Sequence, residues 1–150
     1  MRAPFQILVI PFRHTANGTE FAVLRRSDAA ECWQFVAGGG EGDESPRQAA
    51  ERETREEIGI ATDQDFVELD SMATVPRDCF AAAGSWGEEV YVVPEHCLAV
   101  DVRDRVPTLS REHAALRWVP YDQAFGLLKW DSNRTALWEL NERLKKTPNH

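Results

Sequence analysis

The segment GGGEGDESPRQAAERETREEIGI, residues 38–60, decides the fold of this chain. Its beginning is rich in glycine, and several signals for one helix follow. Ser45 can cap a helix, Pro46 suits the first helical position, and Gln48 completes a capping box with Ser45. Gly59 is the residue type that ends helices in the left-handed conformation. The segment therefore predicts a loop followed by a helix that ends just before Gly59.

The same segment is crowded with acids: Glu41, Asp43, Glu44, Glu51, Glu53, Glu56 and Glu57. On a helix, Glu53, Glu56 and Glu57 project within an arc of about 100°, beside an apolar stripe formed by Ala50, Thr54 and Ile58. Like charges four positions apart cost about 0.2–0.5 kcal/mol even in solvent. A divalent cation held by oxygen ligands would offset that repulsion, and such ligands suit Mg²⁺ or Mn²⁺. The alternative is a solvated acidic face.

Two further features favour a phosphate and metal site. The glycines at 38, 39, 40 and 42 directly precede the helix, where a backbone without Cβ atoms can approach a phosphate. Glu44 lies at the junction of loop and helix, placed either to support a metal or to orient the loop.

The spacing from Gly38 through Glu44 to RETREEIGI (52–60) fits the Nudix box, G-x5-E-x7-R-E-U-x-E-E-x-G-U, where U is usually aliphatic. Only Thr54 departs from the pattern, at a docking position. The chain thus resembles a Nudix hydrolase. The resemblance implies an α/β fold, an α/β/α sandwich around a mixed sheet flanked by helices. It also implies Mg²⁺- or Mn²⁺-dependent cleavage of a nucleoside diphosphate linked to another group.

The resemblance also implies roles for residues of the box. Glu53, Glu56 and Glu57 would be metal ligands or the catalytic base, Arg52 would brace them, and Gly38 would contribute backbone to the metal site or loop. Some members of the family take the base from inside the box and others from a later loop.

Inside the box the base would be Glu53. The later candidate is Glu112, six residues before Trp118. Glu112 would also be a metal ligand. A surface-loop acid without a role is the alternative for Glu112.

Runs rich in β-branched, aliphatic and aromatic residues predict strands at 5–13, 20–26, 33–37, 66–75, 89–93, 97–102 and 115–119. The turn residues at 14–20 predict a hairpin, and 76–89 is predicted to be a loop. Helices are expected at 121–130 and 133–146, the second with a buried stripe of Ala136, Leu137, Leu140 and Leu144. No linker interrupts the pattern, so residues 1–150 are expected to form one domain.

Stretches at 6–13, 23–39, 111–124 and 129–137 resemble bacterial dihydroneopterin triphosphate pyrophosphatases, also described as dATP pyrophosphohydrolases. That likeness implies release of pyrophosphate from a pterin or deoxynucleoside triphosphate. Arg25 and Arg26 would then be candidates for phosphate contact, and Trp33, Trp130, Asn133 or Arg134 would bind the base or pterin ring. Each assignment has an ordinary alternative. Trp33 would instead pack in the core, and residues 131–133 would cap the last helix. Arg25 and Arg26 are neighbours on a strand, so only one of them can face a given cleft.

The charge and cysteine content of the chain limit the classes of binding partner and the cellular compartment that we expect. A net charge of −8 argues against general affinity for nucleic acid or a membrane surface. The cysteines at 32, 79 and 97 are odd in number and lack metal-site spacing, so we expect reduced thiols and a cytoplasmic protein. The four histidines show no spacing typical of metal ligands. The resemblance to the Nudix family also implies a possible homodimer, since this fold often dimerises.

The same motif is compatible with other functions. A dinucleoside polyphosphate hydrolase and a sanitiser of damaged nucleotides share the same phosphate chemistry, and an RNA 5′-end pyrophosphohydrolase fits poorly with the acidic chain. A Nudix-fold module that binds a nucleotide without cleaving it is the alternative from a different class. The complete set of box acids favours the enzyme.

Overall fold

The computed structural model describes residues 1–146. The seven strands are β1 (Arg2–Thr15), β2 (Gly18–Arg26), β3 (Trp33–Gln34), β4 (Val36–Glu41), β5 (Phe66–Pro76), β6 (Val92–Asp101) and β7 (His113–Val119). The three α-helices are α1 (Pro46–Ile58), α2 (Tyr121–Leu127) and α3 (Asp131–Lys146). None of the helices in residues 1–146 is long and apolar enough to cross a membrane.

The strands form one mixed sheet. Its order is β3-β2-β1-β6-β5, with β4 added to β1 and β7 added to β2. The β1–β6 pair is parallel, with Gln6 opposite Glu95, and the other pairs are antiparallel. The predicted hairpin is confirmed, since Thr15 pairs with Gly18.

Helices cover both faces of the sheet. Alternate residues of β1 point to opposite faces because strand side chains have a period of two. Leu8 and Ile10 lie in the cluster that includes Leu137 and Leu140 of α3, whereas Ile7 and Val9 lie in the cluster that includes residues of α1. The predicted α/β/α sandwich is confirmed, and so is the buried stripe of the last helix, in which Leu144 is partly buried.

The helix predicted from the segment at 38–60 forms as expected. The Ser45 hydroxyl accepts a hydrogen bond from the Gln48 amide, and the Gln48 side chain accepts one from the Ser45 amide. The helix ends at Gly59, whose φ of 68° is left-handed. The stripe of Ala50, Thr54 and Ile58 is fully buried, so the acids beside it are held at a fixed edge of the sheet.

A long loop between β6 and β7 binds the end of this helix. The Thr108 amide donates to the Ile58 carbonyl at 2.8 Å, and the Ser110 amide donates to the Glu57 carbonyl at 2.9 Å. Carbonyls in the last turn of a helix have no partner within the helix, so such bonds are favourable there. The loop therefore delivers the residues that follow it, Glu112 and His113, to the acidic edge of α1.

Several boundaries differ from the sequence prediction. The run at 33–37, expected as one strand, is divided between β3 and β4. The runs at 89–93 and 97–102 were expected as two strands, but they contribute to one strand, β6, that starts at Val92. Pro94 pairs with Thr74 of β5, whereas pairing of β6 with β1 begins only at Glu95. Pro94 therefore lies at an edge position of the sheet, where a missing N–H is tolerated. The loop at 76–89 also contains two short 3₁₀ helices, at 77–79 and 81–85.

The last two helices also differ at their ends. α2 stops at Leu127 because the following residues bind the sheet: Leu128 bridges to Trp33, and the Lys129 amide donates to the Trp33 carbonyl. α3 starts at Asp131, so residues 131–133 form its first turn. Asn133 does not cap this helix with its side chain, since its Oδ1 accepts a hydrogen bond from the Phe35 amide at 3.1 Å.

The carboxylate of Glu139 is expected to couple stability to pH. Although burial opposes ionisation, hydrogen bonds from Ser71, the Asp70 amide and Arg143 lower the pKa of Glu139 from 4.5 to about 2. This stabilisation is present above the unfolded-state pKa near 4.5 and is lost as the pH falls toward 2. We expect Glu139→Gln to lower the free energy of unfolding by about 1–3 kcal/mol at pH 7.

Urea unfolding of both proteins at several pH values checks this prediction. The difference between them should shrink as the pH falls from 4.5 toward 2. A difference that stays constant over that range would show that the ionised carboxylate is not the stabilising group.

Candidate active site

Arg52 organises the acidic edge of α1. Its guanidinium donates to Glu44 through Nε at 2.8 Å and Nη2 at 3.0 Å, to Glu53 through Nη1 at 2.7 Å and to Glu56 at 3.2 Å. It also donates to the Gly39 carbonyl at 2.8 Å. These charge-assisted bonds tie the glycine segment at 38–42, called here the glycine loop, to the helix. Its residues 38–41 lie in β4 rather than in the predicted loop. Glu44, which was expected either to support a metal or to orient the loop, is bound to Arg52 and to an amide of the loop.

Glu53 and Glu57 lie against each other beneath the glycine loop. Burial and the contact with Glu57 raise the pKa of Glu53 to about 8, although Arg52 opposes this. Burial, with a smaller effect of Glu112, raises the pKa of Glu57 to about 7. The metal-free pair therefore holds a proton near neutral pH. At Gly38 a Cβ would lie 2.3 Å from Cδ of Glu53, so only glycine leaves room for this carboxylate.

Glu57 also meets two residues from the start of β7. His113 Nε2 lies 2.7 Å from Glu57 Oε1, and both side chains are almost fully buried. One ligand atom from each of Glu57, Glu112 and His113 lies within 4.8 Å of the other two. Burial lowers the pKa of His113, despite the nearby Glu112. Burial thus favours the neutral imidazole, which shares a hydrogen bond with Glu57 through Nε2.

The arrangement fits a divalent cation. Oε2 of Glu57 is buried without a hydrogen-bond partner among the described residues, so a cation or a proton on a neighbouring acid would stabilise it. Nδ1 of His113 is also buried without a hydrogen bond. Several carboxylate oxygens suit Mg²⁺ or Mn²⁺ better than a soft metal. Glu53, Glu57 and Glu112 would be the chief oxygen ligands, whereas Glu56 is half-exposed beside Arg52.

A cavity of about 1030 Å³ opens beside this cluster, on the sheet face covered by α3. Glu57, Glu112 and His113 line one part of it. Its lining also includes the aromatic rings of Phe80 and Trp130. One continuous space thus joins an acidic cluster to aromatic walls.

The residues predicted to bind substrate divide into two groups. Arg26 and Asn133 line the cavity, where Arg26 is paired with Asp28 at 2.7 Å. Trp33 and Arg134 are not among the lining residues. Trp33 packs against the core with Arg25 near its ring, and Arg134 donates to Asp131 and to the carbonyl of Leu128. The two strand arginines, Arg25 and Arg26, face different surroundings, as their alternation predicts.

Two residues of the site were not predicted from the sequence. His113 has no second ligand near it in the chain, because its partner Glu57 is 56 positions away. Glu95 lies in an apolar run and is nevertheless a buried acid of the cavity lining. For His113, a neighbouring acid at 112 was the only hint.

Comparison with known proteins agrees with this geometry. Residues 6–139 match the NUDIX domain family. The chain therefore belongs to the Nudix family and is a Nudix hydrolase with pyrophosphohydrolase relatives. A solved structure from Listeria monocytogenes, assigned to the NUDIX hydrolases, is 49% identical with a TM-score of 0.86, each chain being covered to 96%.

The curated relatives differ in their named activities. An RNA pyrophosphohydrolase of Nitratiruptor is 30% identical over 71% of this chain and 70% of the relative. The asymmetrical bis(5′-nucleosyl)-tetraphosphatase of Rattus norvegicus is 30% identical over 86% of this chain and 83% of the relative. The dihydroneopterin triphosphate diphosphatase of Escherichia coli K12 is 29% identical over 91% of both. The family is shared, and the named substrates are not.

Proposed function

We propose that this protein is a Mg²⁺- or Mn²⁺-dependent pyrophosphohydrolase that converts a pterin or deoxynucleoside triphosphate into the monophosphate and pyrophosphate. One observation carries the proposal. The cluster of Glu57, Glu112 and His113 opens into the same cavity as Phe80 and Trp130. A small molecule with a polyphosphate at one end and a flat ring at the other matches both parts.

The chain's own residues hold and orient the phosphates. A divalent cation, when bound, polarises phosphoryl oxygens and offsets charge on the leaving pyrophosphate. Arg52 keeps Glu53 and Glu56 in place, and His113 fixes the rotamer of Glu57 through Nε2. Arg26 and Arg111 on the cavity wall supply positive charge to the polyphosphate.

Glu112 is the better of the two base candidates. Its carboxylate is exposed and lines the cavity, where it can accept a proton from an attacking water. Glu53 is not among the lining residues, and it already contacts Arg52 and Glu57. Comparing the rate–pH profiles of Glu112→Gln and Glu53→Gln tests this assignment, since the base variant loses the rise in rate with pH.

The substrate choice rests on the likeness to dihydroneopterin triphosphate diphosphatases, which covers 91% of the chain. The net charge of −8 agrees with a small substrate and disfavours an RNA backbone.

The three cysteines are free, which agrees with a cytoplasmic location of the protein. A homodimer is proposed because Nudix domains often dimerise. The molar mass of the purified protein, measured by light scattering, tests this proposal.

A substrate panel tests the function. Purified protein with Mg²⁺ is given dihydroneopterin triphosphate, the four deoxynucleoside triphosphates, diadenosine tetraphosphate and a 5′-triphosphorylated RNA. We expect the highest kcat/KM for a pterin or deoxynucleoside triphosphate, with pyrophosphate released. Preference for diadenosine tetraphosphate or RNA would reject this substrate class, and binding of nucleotide without any product would reject the enzyme.

A further inference from the structure

Glu95 is a buried acid with no role in the chemistry described above. It is 8% exposed, and its Oε1 is buried without a hydrogen bond. It lies on β6, on the same face as Leu8 and Cys97, and it lines the cavity beneath α3. Leaving a buried carboxyl oxygen unpaired costs free energy. A ligand with N–H groups would remove that cost.

Amide donors accompany this carboxyl group in the cavity lining. Asn133 is 3% exposed, and its Oδ1 accepts from the Phe35 amide. Its Nδ2 has only a long contact, 3.4 Å, with the Ser132 hydroxyl and is left as a donor. The oxygen of Gln34 is 3.8 Å from Sγ of Cys32, which leaves its NH₂ group as the second donor. The buried polar surface thus combines one pair of carboxyl oxygens with amide donors.

The register of the sheet places this polar surface at a suitable distance from the acidic cluster. Gln6 pairs with Gly39 of β4 on one side and with Glu95 of β6 on the other. Neighbouring strands are about 4.8 Å apart, so Glu95 lies roughly 10 Å from the glycine loop. That separation spans the sugar and first phosphate of a nucleotide. The rings of Phe80 and Trp130 belong to the same cavity.

We infer that Glu95 selects substrates whose ring carries a 2-amino-4-oxopyrimidine edge, the edge common to guanine and pterin. The inference rests on the proposed triphosphate hydrolysis and names its ring class. Such an edge presents a ring N–H and an amino N–H side by side, which two carboxylate oxygens accept together. Its carbonyl oxygen then accepts from Asn133 or Gln34. Adenine has no carbonyl group for those donors, and cytosine has no N–H in its ring.

The electrostatics of Glu95 agree with this selection. Burial raises the pKa of Glu95, and the Ser132 hydroxyl opposes the rise by donating to it. Two N–H donors from a bound ring would stabilise the ionised form in the same way. A ring with one donor beside an acceptor would leave one carboxylate oxygen unpaired.

A substrate pair that differs by one group tests the inference. Deoxyinosine triphosphate lacks only the 2-amino group of dGTP. For the wild-type protein we expect kcat/KM for dGTP to exceed that for deoxyinosine triphosphate about 10-fold or more, mainly through KM. Glu95→Gln should lower kcat/KM for dGTP and dihydroneopterin triphosphate about 100-fold and remove the discrimination. Glu68→Gln, an exposed acid on the adjacent β5, is the matched control and should retain it.

The outcomes separate the two proposals. If the wild-type protein releases pyrophosphate from none of the triphosphates, the proposed function fails. If it releases pyrophosphate but treats the two purines alike, the function stands and the role of Glu95 is rejected. An equal loss on all substrates in Glu95→Gln also rejects it, since that indicates a structural effect. Should the variant fail to fold, the wild-type comparison of the two purines still decides.

Discussion

Replacing Glu57 by Gln is expected to lower kcat/KM at least 100-fold while the protein stays folded. Glu57 is buried, its Oε1 is held by His113 and its Oε2 has no donor. Gln keeps the shape and can still form a hydrogen bond with His113, but it removes the charge that would hold a cation. Steady-state rates across a Mg²⁺ titration measure the effect, which should appear as weaker metal dependence and a lower maximal rate.

Glu51→Gln is the matched control for that experiment. Glu51 lies on the same helix, is paired with Arg47 and points away from the cavity. It should keep the wild-type rate and Mg²⁺ dependence. A fully active Glu57→Gln protein would remove Glu57 from the metal site and leave Glu53 and Glu112 to hold the cation.

Arg52→Lys is expected to lower kcat about 10- to 100-fold and the free energy of unfolding by about 1–3 kcal/mol. The guanidinium makes five hydrogen bonds, to Glu44, Glu53, Glu56 and the Gly39 carbonyl. Lys keeps the charge but cannot reproduce the planar fork that joins these groups. The glycine loop and Glu53 then lose their common anchor.

Chemical unfolding and steady-state kinetics on the same preparation measure both effects. The control is Arg55→Lys, an arginine on the exposed side of α1. It should change neither quantity appreciably. If Arg52→Lys leaves the rate and the free energy of unfolding as little changed as Arg55→Lys does, charge alone maintains the site. The planar geometry of the guanidinium would then be unimportant.

The helix and its acids were predictable because their determinants are local. Ser45, Gln48 and Gly59 set its ends, and a spacing of three and four residues sets its faces. Residues that depend on distant pairing were harder to find. His113 meets Glu57 only because the β6–β7 loop binds the end of α1, and no spacing within the sequence encodes that contact.

The residues that line the cavity were also hard to predict, because they depend on which strands pair. Glu95 belongs to the site because of its register on β6, which pairs with β1 through contacts about 90 residues apart in sequence. Asn133 was expected to cap α3 or bind the ring, and its Oδ1 accepts from the amide of Phe35, which lies between β3 and β4 and is 98 positions away. Hydrophobic patterning predicts strands well but does not specify which strand lies beside which.

The clamp of Thr108 and Ser110 on the last turn of α1 also bears on how the molecule folds. The acidic helix can form early from local signals, but Glu112 and His113 reach it only after β6 and the loop behind it are in place. Closing such distant segments is slow and occurs late. A cation bound between them would therefore stabilise the native state after the folding barrier, slowing unfolding while leaving the folding rate almost unchanged.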